Sequence, residues 1–183
     1  MVAQNSFLGR DIFIVSINAL MSLPPVVVGL FLYILLSAQG SLSSYRILYT
    51  PLAMIIAQII LVTPLLISLC KESIDSVNIK LNEYLHTINA SYYQKTLTLI
   101  SECKYNIILN IIVALGRALS EVGAIIIVGG NISYLTRTMT TGIVVETSKG
   151  DLAMALSLGI TLLLISLIIN LIIFMLTSIH KNE

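Results

Sequence analysis

Long apolar runs alternate with polar segments along the chain. Apolar side chains dominate residues 12–36, 49–70, 105–129 and 152–179. Each run reaches the length of roughly 20 residues with which an α-helix crosses the hydrocarbon core of a bilayer. A spanning segment of this kind must be helical, because its backbone polar groups have to be satisfied internally. The pattern therefore predicts an all-α polytopic membrane protein with about four transmembrane helices.

The composition agrees with this prediction. Hydrophobic residues make up 57% of the chain and charged residues only 10%, whereas a soluble domain has about 25% charged residues. The net charge of +1, without a basic patch, gives no sign of a nucleic-acid partner. No Gly-Lys pair occurs, so the chain has no Walker-type phosphate-binding loop. We expect no catalytic residue, metal site or cofactor, and any ATP with its Mg²⁺ would be bound by another polypeptide.

Residues 71–104 form the longest polar segment and separate the second apolar run from the third. The segment carries four lysines and four acidic residues. Its apolar positions follow near-helical spacing, at Leu81, Leu85, Ile88, Tyr92 and Leu99. This spacing predicts an amphipathic helix or two short ones. The segment is either a contact surface for a soluble partner or an ordinary solvated connection between spans.

The distribution of lysine and arginine predicts the orientation, because positively charged loops are retained in the cytoplasm. With both termini inside, six cations face the cytoplasm: Arg10, Lys71, Lys80, Lys95, Lys104 and Lys181. Three then lie outside: Arg46, Arg137 and Lys149. The prediction is a multi-pass protein of the cell membrane with both termini in the cytoplasm.

The first apolar run contains a helix break. Pro24 and Pro25 both lack a backbone N–H, and their rings clash with the preceding turn. A broken helix at membrane depth needs protein or a water-filled cavity around its freed backbone groups. The break is either purely structural or part of a transport path, to which Asn18 would also contribute. Gln58 in the second run needs a hydrogen-bond partner as well.

The third run carries two charges within an apolar segment. Arg117 and Glu121 stand at i and i+4, so on one continuous helix they would pair. A pair within a span faces the bundle interior or an aqueous cavity. We favour a structural or gating role over direct substrate contact, because a buried carboxylate repels an anion. The other interpretation is a packing bridge near the membrane interface.

Residues 130–151 are rich in hydroxyl groups and follow a glycine pair. Glycines permit conformations that turn several backbone N–H groups toward one point, an arrangement that favours anions. Neutral hydroxyls and an arginine can replace water around an oxyanion. The residues assigned to such a path are Gly129, Gly130, Asn131, Arg137, Thr138, Thr140 and Thr141. The alternative is a solvated re-entrant connection.

Taken together, three segments resemble the membrane permeases of tungstate-type ABC importers, which are grouped with the molybdate and sulfate permeases. The segments are NALMSLPPVVVGL at residues 18–30, GRALSEVGA at 116–124, and GGNISYLTRTMTTGI at 129–143, with ETSKGD following at 146–151. The resemblance covers the chain from about Leu8 onward.

The polar segment resembles the EAA loop of these permeases, whose short helix docks on the ATPase subunit. Glu83, Ala90 and Ser91 match the loop in order. Asn89 stands where the loop normally has glycine, and Glu102 stands near the position of the usual Leu-Pro end. The resemblance implies that Glu83, Ala90 and Ser91 couple the permease to its ATPase.

The resemblance also implies a type I ABC importer permease fold and a homodimer in the cytoplasmic membrane. Two ATPase subunits would dock on residues 82–97, and an extracytoplasmic binding protein would deliver tungstate or molybdate. The family usually has a further spanning helix before the position of Leu8, and residues 1–11 do not supply it. This difference predicts a shortened reading frame, a fragment or a minimal variant. Two other functions stay open: a stand-alone anion channel or secondary carrier, and a truncated component that does not transport.

Overall fold

The computed structural model describes residues 10–88 and 90–179. Within these ranges the chain forms seven α-helices, a 3-10 turn at Ser43–Tyr45 and no strand. The helices are α1 Arg10–Met21, α2 Pro25–Leu36, α3 Pro51–Thr87, α4 Tyr92–Leu119, α5 Gly123–Gly129, α6 Met139–Lys149 and α7 Leu152–Ile179. The predicted all-α class is confirmed.

Three of these helices contain segments that are long and apolar enough to cross a membrane: Pro51–Leu81, Tyr92–Leu119 and Leu152–Met175. The segments Ile14–Met21 and Pro25–Leu36 make a fourth span if the interrupted pair is counted as one. The described residues therefore supply three or four spans, as expected of a polytopic membrane protein. The last apolar run, residues 152–179, coincides with α7.

The predicted break in the first run is confirmed. Helix α1 ends at Met21 and α2 begins at Pro25. Pro24 precedes α2 with an extended backbone at φ −62° and ψ 128°. Proline is well suited to the first position of a helix, because the N–H that it lacks has no partner there. The two prolines thus end one helix and start the next.

The polar segment 71–104 folds differently from the prediction of one amphipathic helix or two short ones. Its first part continues α3, which runs for 37 residues to Thr87. Its second part begins α4 at Tyr92. The expectation of separate short helices is wrong, because the charges that end the apolar run do not end the helix and no proline or glycine interrupts residues 71–87.

The chain divides into two compact units, Met1–Ser22 with Thr63–Ala114, and Leu23–Val62 with Leu115–Glu183. In the described part of the first unit, side chains of α4 donate hydrogen bonds to α3. The Asn110 amide donates to the Ser73 hydroxyl at 2.9 Å, and the Cys103 thiol donates to the Ser73 carbonyl at 3.6 Å. Lys71 and Asp75 form an ion pair of 2.6 Å on α3.

The second unit has an apolar core formed by α2, the first part of α3 and α5. Its buried members are Val28, Leu32, Leu36, Ala53, Ala57, Ala124 and Val128. Small residues let α2 and α5 approach closely: a Cβ atom on Gly29 would lie 2.7 Å from the Ala124 Cα. Close backbone approach at small residues is a common way to pack helices in a membrane. This packing fixes α5, and with it the break that precedes α5.

Candidate functional site

The third apolar run is not the single helix that its composition predicts. Helix α4 ends at Leu119 and α5 starts at Gly123. In between, the Ser120 N–H donates to the Gly116 carbonyl at 3.1 Å, and the Glu121 N–H donates to the Ala118 carbonyl at 3.3 Å. The chain thus turns within the apolar run, and we call residues 120–122 the α4–α5 break.

The Glu121 side chain bonds to the backbone at the start of α5 and so stabilises the α4–α5 break. The side chain is buried, and Oε1 accepts the Ala124 N–H at 3.1 Å. In the described parts of the chain no ion pair includes Arg117, which is exposed. The interpretation of Arg117 and Glu121 as an i, i+4 pair does not hold, because the helix ends before Glu121 and the two residues share no helix face.

Two side chains from distant positions complete the break. The Gln58 amide on α3 donates to the Ala118 carbonyl at 3.2 Å, and the Thr140 hydroxyl on α6 donates to the Glu121 carbonyl at 3.1 Å. The last carbonyls of a helix have no partner within it, so such donors stabilise its end. Gln58 therefore has the partner that its mid-span position requires.

These groups border a cleft of about 250 Å³ within the second unit, which we call the Glu121 cleft. Its polar lining comes from Gln58, Glu121, Thr138 and Thr140, and α7 contributes Leu162 and Ile165. The cleft thus combines one carboxylate with neutral hydrogen-bonding groups. Arg117 does not line it, although Arg117 and Glu121 are four residues apart in sequence.

The threonines that open α6 bond mainly to one another. Thr138 caps the helix: its hydroxyl accepts the Thr141 N–H at 3.2 Å, and the Thr138 N–H donates to the Thr141 hydroxyl at 3.0 Å. The Thr141 hydroxyl, which is fully buried, donates to Asn131 Oδ1 at 2.8 Å. Asn131 and Thr141 thus hold the loop before α6 against its first turn. Thr138 also lines the Glu121 cleft.

The glycine pair also has a structural role. Gly130 is the C-cap of α5 with φ +69°, and its N–H donates to the Ile126 carbonyl at 3.0 Å. The Gly129 carbonyl accepts the Thr136 hydroxyl at 2.6 Å. The expectation that the Gly130 N–H is turned toward an anion is wrong, because this donor closes the end of α5.

Arg137 lies in a small cluster of charges on α6 and the residue before its cap. Glu146 Oε1 is 2.9 Å from Lys149 Nζ and 3.8 Å from an Arg137 guanidinium nitrogen. The Glu146 side chain is 13% exposed, against 38% for Arg137 and 56% for Lys149. Two cations thus share one carboxylate, and the group has a net positive charge. The sequence assigned Arg137 to the anion path but gave no sign that the Glu146 carboxylate lies next to it.

The remaining path residues fall in different units. Asn18 belongs to the first unit, where it lines a cavity together with Lys71 and Asp75. Pro24 and Pro25 belong to the second unit, at the start of α2. The described contacts give the two prolines a structural role in helix initiation, and a transport role for all three residues stays a prediction.

The proposed coupling residues surround the turn between α3 and α4. The Glu83 side chain lies outside the described part of the structure. The Ala90 N–H donates to the Leu85 carbonyl at 3.1 Å and so helps to close α3. Ser91 caps α4: its hydroxyl accepts the Gln94 N–H at 3.3 Å, while the Gln94 side chain accepts the Ser91 N–H at 2.9 Å. Ser91 and Gln94 have the Ser-x-x-Gln spacing of a capping box, so the start of α4 could have been predicted from the sequence.

Ser91→Ala is expected to fray the first turn of α4, because the Gln94 N–H loses its acceptor. Loss of an N-terminal cap costs about 1 kcal/mol. Amide hydrogen exchange at residues 92–95 should become faster. Ser101→Ala, on the exposed face of the same helix, is the matched control and should leave exchange unchanged. Equal exchange in Ser91→Ala and the parent chain would contradict the capping role.

No family model matches the chain, but several known permease proteins are similar to it along most of its length. The tungstate uptake system permease protein TupB of Peptoclostridium acidaminophilum is 41% identical over 170 residues, covering 93% of this chain and 75% of that protein. A probable anion ABC transporter permease protein of Haloferax volcanii is 37% identical over 174 residues, covering 92% and 75%. The TupB protein of Campylobacter jejuni is 39% identical over 156 residues, covering 85% and 65%.

Proposed function

Because the chain belongs to the family of ABC transporter permeases that includes the tungstate uptake permeases, we propose that it carries tungstate across the cell membrane into the cytoplasm. The observation that carries the proposal is the 41% identity over 93% of the chain to a tungstate uptake permease. The chain is a transport subunit and not an enzyme, since ATP hydrolysis in these transporters belongs to a separate subunit. Molybdate, a tetrahedral dianion like tungstate, is the second candidate substrate.

The family implies two kinds of partner, an ATPase subunit and a substrate-binding protein. We propose that two copies of the permease assemble side by side, with the ATPase bound in the cytoplasm and the binding protein outside. ATP and Mg²⁺ would be held by the ATPase alone. The excess of lysine and arginine on one side supports an orientation with both termini in the cytoplasm.

Residues 82–97 are the proposed contact with the ATPase. Large apolar side chains are exposed around the turn between α3 and α4: Tyr84 at 62%, Ile88 at 55% and Tyr93 at 71%. Large exposed apolar side chains in a polar, charged segment are typical of a protein contact. The long helices on either side of the turn can transmit a displacement of the docked ATPase into the membrane-spanning segments.

The Glu121 cleft and Arg137 are the proposed path elements. Thr138 and Gln58 offer neutral groups to an oxyanion in the cleft, and Arg137 offers a cation at the start of α6. Neutral hydrogen bonds contribute about 0.5–1.5 kcal/mol each, which allows an anion to pass without being trapped. The Glu121 carboxylate opposes entry of a dianion, and this repulsion suits a gate that opens only when ATP drives a conformational change.

Uptake in cells tests the proposed substrate. Cells carrying this chain, its ATPase and its binding protein should accumulate tungstate, and cells lacking only this chain should not. Excess molybdate should reduce tungstate uptake more than excess sulfate does, as expected for the proposed substrate class. Tungstate uptake that is equal with and without the chain would reject the proposal. Uptake that persists when the ATPase is deleted would indicate a channel or secondary carrier.

A further inference from the structure

We infer that Glu146 and Lys149 regulate Arg137: Glu146 holds the Arg137 guanidinium, and Lys149 weakens that hold so that Arg137 remains available to the transported oxyanion. The inference rests on the proposed function, because it takes Arg137 to meet the substrate. It assigns positioning roles to two residues that have no place in the path described above.

The cluster has an asymmetric geometry. Glu146 Oε1 makes a hydrogen-bonded ion pair with Lys149 Nζ at 2.9 Å, one helical turn away on α6. The same oxygen is 3.8 Å from Arg137, beyond the range of a good hydrogen bond. Arg137 is therefore attracted to Glu146 but is not locked against it.

The backbone on both sides of the cluster is fixed, so the three charges stay within reach of one another. Thr138, next to Arg137, is held by its reciprocal bonds with Thr141. At the other end of α6 the Glu146 carbonyl accepts the Asp151 N–H at 3.0 Å, and Gly150 is the left-handed C-cap with φ +85°. Side-chain rotation alone can thus exchange the partners of Arg137.

Replacing Glu146 and replacing Lys149 should change the availability of Arg137 in opposite directions. A carboxylate shared by two cations attracts each of them less than it would attract one alone, because the cations repel each other. Removing Lys149 leaves Glu146 to Arg137 alone and should strengthen their contact. Removing the charge of Glu146 should free Arg137. A role in folding alone would make both changes act in the same direction.

The test measures the availability of Arg137 directly. The permease–ATPase complex in lipid nanodiscs is treated with a dicarbonyl reagent specific for arginine, and the modified Arg137 peptide is quantified by mass spectrometry. Glu146→Gln should accelerate modification and Lys149→Met should slow it, each about two- to fivefold, the range set by an exposed ion pair. Glu146→Gln combined with Lys149→Met should behave like Glu146→Gln alone, because Lys149 acts through Glu146.

The second measurement is the protection of Arg137 by tungstate. Added at millimolar concentration to the same complex, it should protect Arg137 from the reagent in the parent chain, more strongly in Glu146→Gln and less strongly in Lys149→Met. The matched control is Asp75→Asn, which removes the carboxylate of the ion pair that Lys71 forms on α3. Asp75→Asn should change neither the rate of Arg137 modification nor its protection.

Two outcomes would overturn the inference: equal modification rates in all variants, or changes of the same sign in Glu146→Gln and Lys149→Met. These outcomes are separable from a failure of the proposed function. If the parent complex transports no tungstate with ATP, the proposed function fails whatever the modification rates are. If it transports tungstate and Arg137 reacts equally in every variant, only the regulation of Arg137 is rejected.

Discussion

Replacement of Gly29 by alanine should separate α2 from α5 and destabilise the second unit. The added Cβ would lie 2.7 Å from the Ala124 Cα and 3.1 Å from the Ala124 carbonyl oxygen. Both atoms belong to the backbone, so no side chain can rotate away to make room. Overpacking of this kind costs about 1–3 kcal/mol. Because α5 follows the α4–α5 break, the displacement should also disturb the Glu121 cleft and lower transport.

Unfolding of the purified permease by a denaturing detergent in mixed micelles measures this effect. The free energy of unfolding of Gly29→Ala should be lower than that of the parent chain by the amount given above. Gly116→Ala is the matched control, since a Cβ at this position on α4 meets nothing within 4 Å. Alanine favours a helix over glycine by up to about 1 kcal/mol, so the control should be neutral or slightly stabilised. Equal stability of the two variants would contradict the close packing of α2 on α5.

Thr141→Val should have the second large effect, because it removes a fully buried hydroxyl while keeping the shape of the side chain. The Thr138 N–H would lose its acceptor and Asn131 Oδ1 would lose its donor. A fully buried polar group left unpaired costs about 1–3 kcal/mol, and because these two bonds are partly buried each loss should lie toward the lower end of that range. The loop before α6 should loosen, and with it the part of the Glu121 cleft that Thr138 lines.

Hydrogen exchange across residues 130–141 should report this loosening, together with a lower free energy of unfolding. The control is Thr147→Val on the same helix, where the hydroxyl is exposed and donates only to the Ile143 carbonyl one turn earlier. Thr147→Val should leave both measurements near those of the parent. If the amide hydrogens of Thr141→Val exchanged no faster than those of Thr147→Val, the hydrogen bonds of Thr141 would not be what holds the loop before α6.

The sequence predicts the spans well where the apolar pattern is uninterrupted. Helix α7 coincides with the last apolar run, and the prolines place the break before α2. Both features depend on local properties, namely hydropathy and the missing N–H of proline. The end of α3 was missed because charged residues such as Lys71 and Asp75 end an apolar run without ending a helix.

The α4–α5 break depends on distant residues and therefore escaped prediction. Its stabilising donors, Gln58 and Thr140, are far from Ala118 and Glu121 in sequence. An apolar pattern gives no sign of which donor will reach a helix end. The assignment of Arg117 and Glu121 to one helix face consequently failed.

Hydroxyl groups posed a similar difficulty. The sequence shows that residues 130–151 are rich in threonine, but a threonine can serve a substrate or cap a helix. The structure gives both Thr138 and Thr141 a capping role at the start of α6, and Thr138 also lines the Glu121 cleft. The distinction depends on which N–H lies within reach of each hydroxyl, and this is decided only when α6 and its preceding loop have folded.

Reconstituted transport tests the central claim most directly. The permease, its ATPase and its binding protein are placed in liposomes with ATP on the ATPase side, and tungstate accumulation is followed with time. Accumulation that requires ATP, the binding protein and this chain together is the predicted result. Tungstate flux of the same size without ATP, or no flux from a complete and folded complex, would contradict the assignment of this chain as an ATP-driven oxyanion permease.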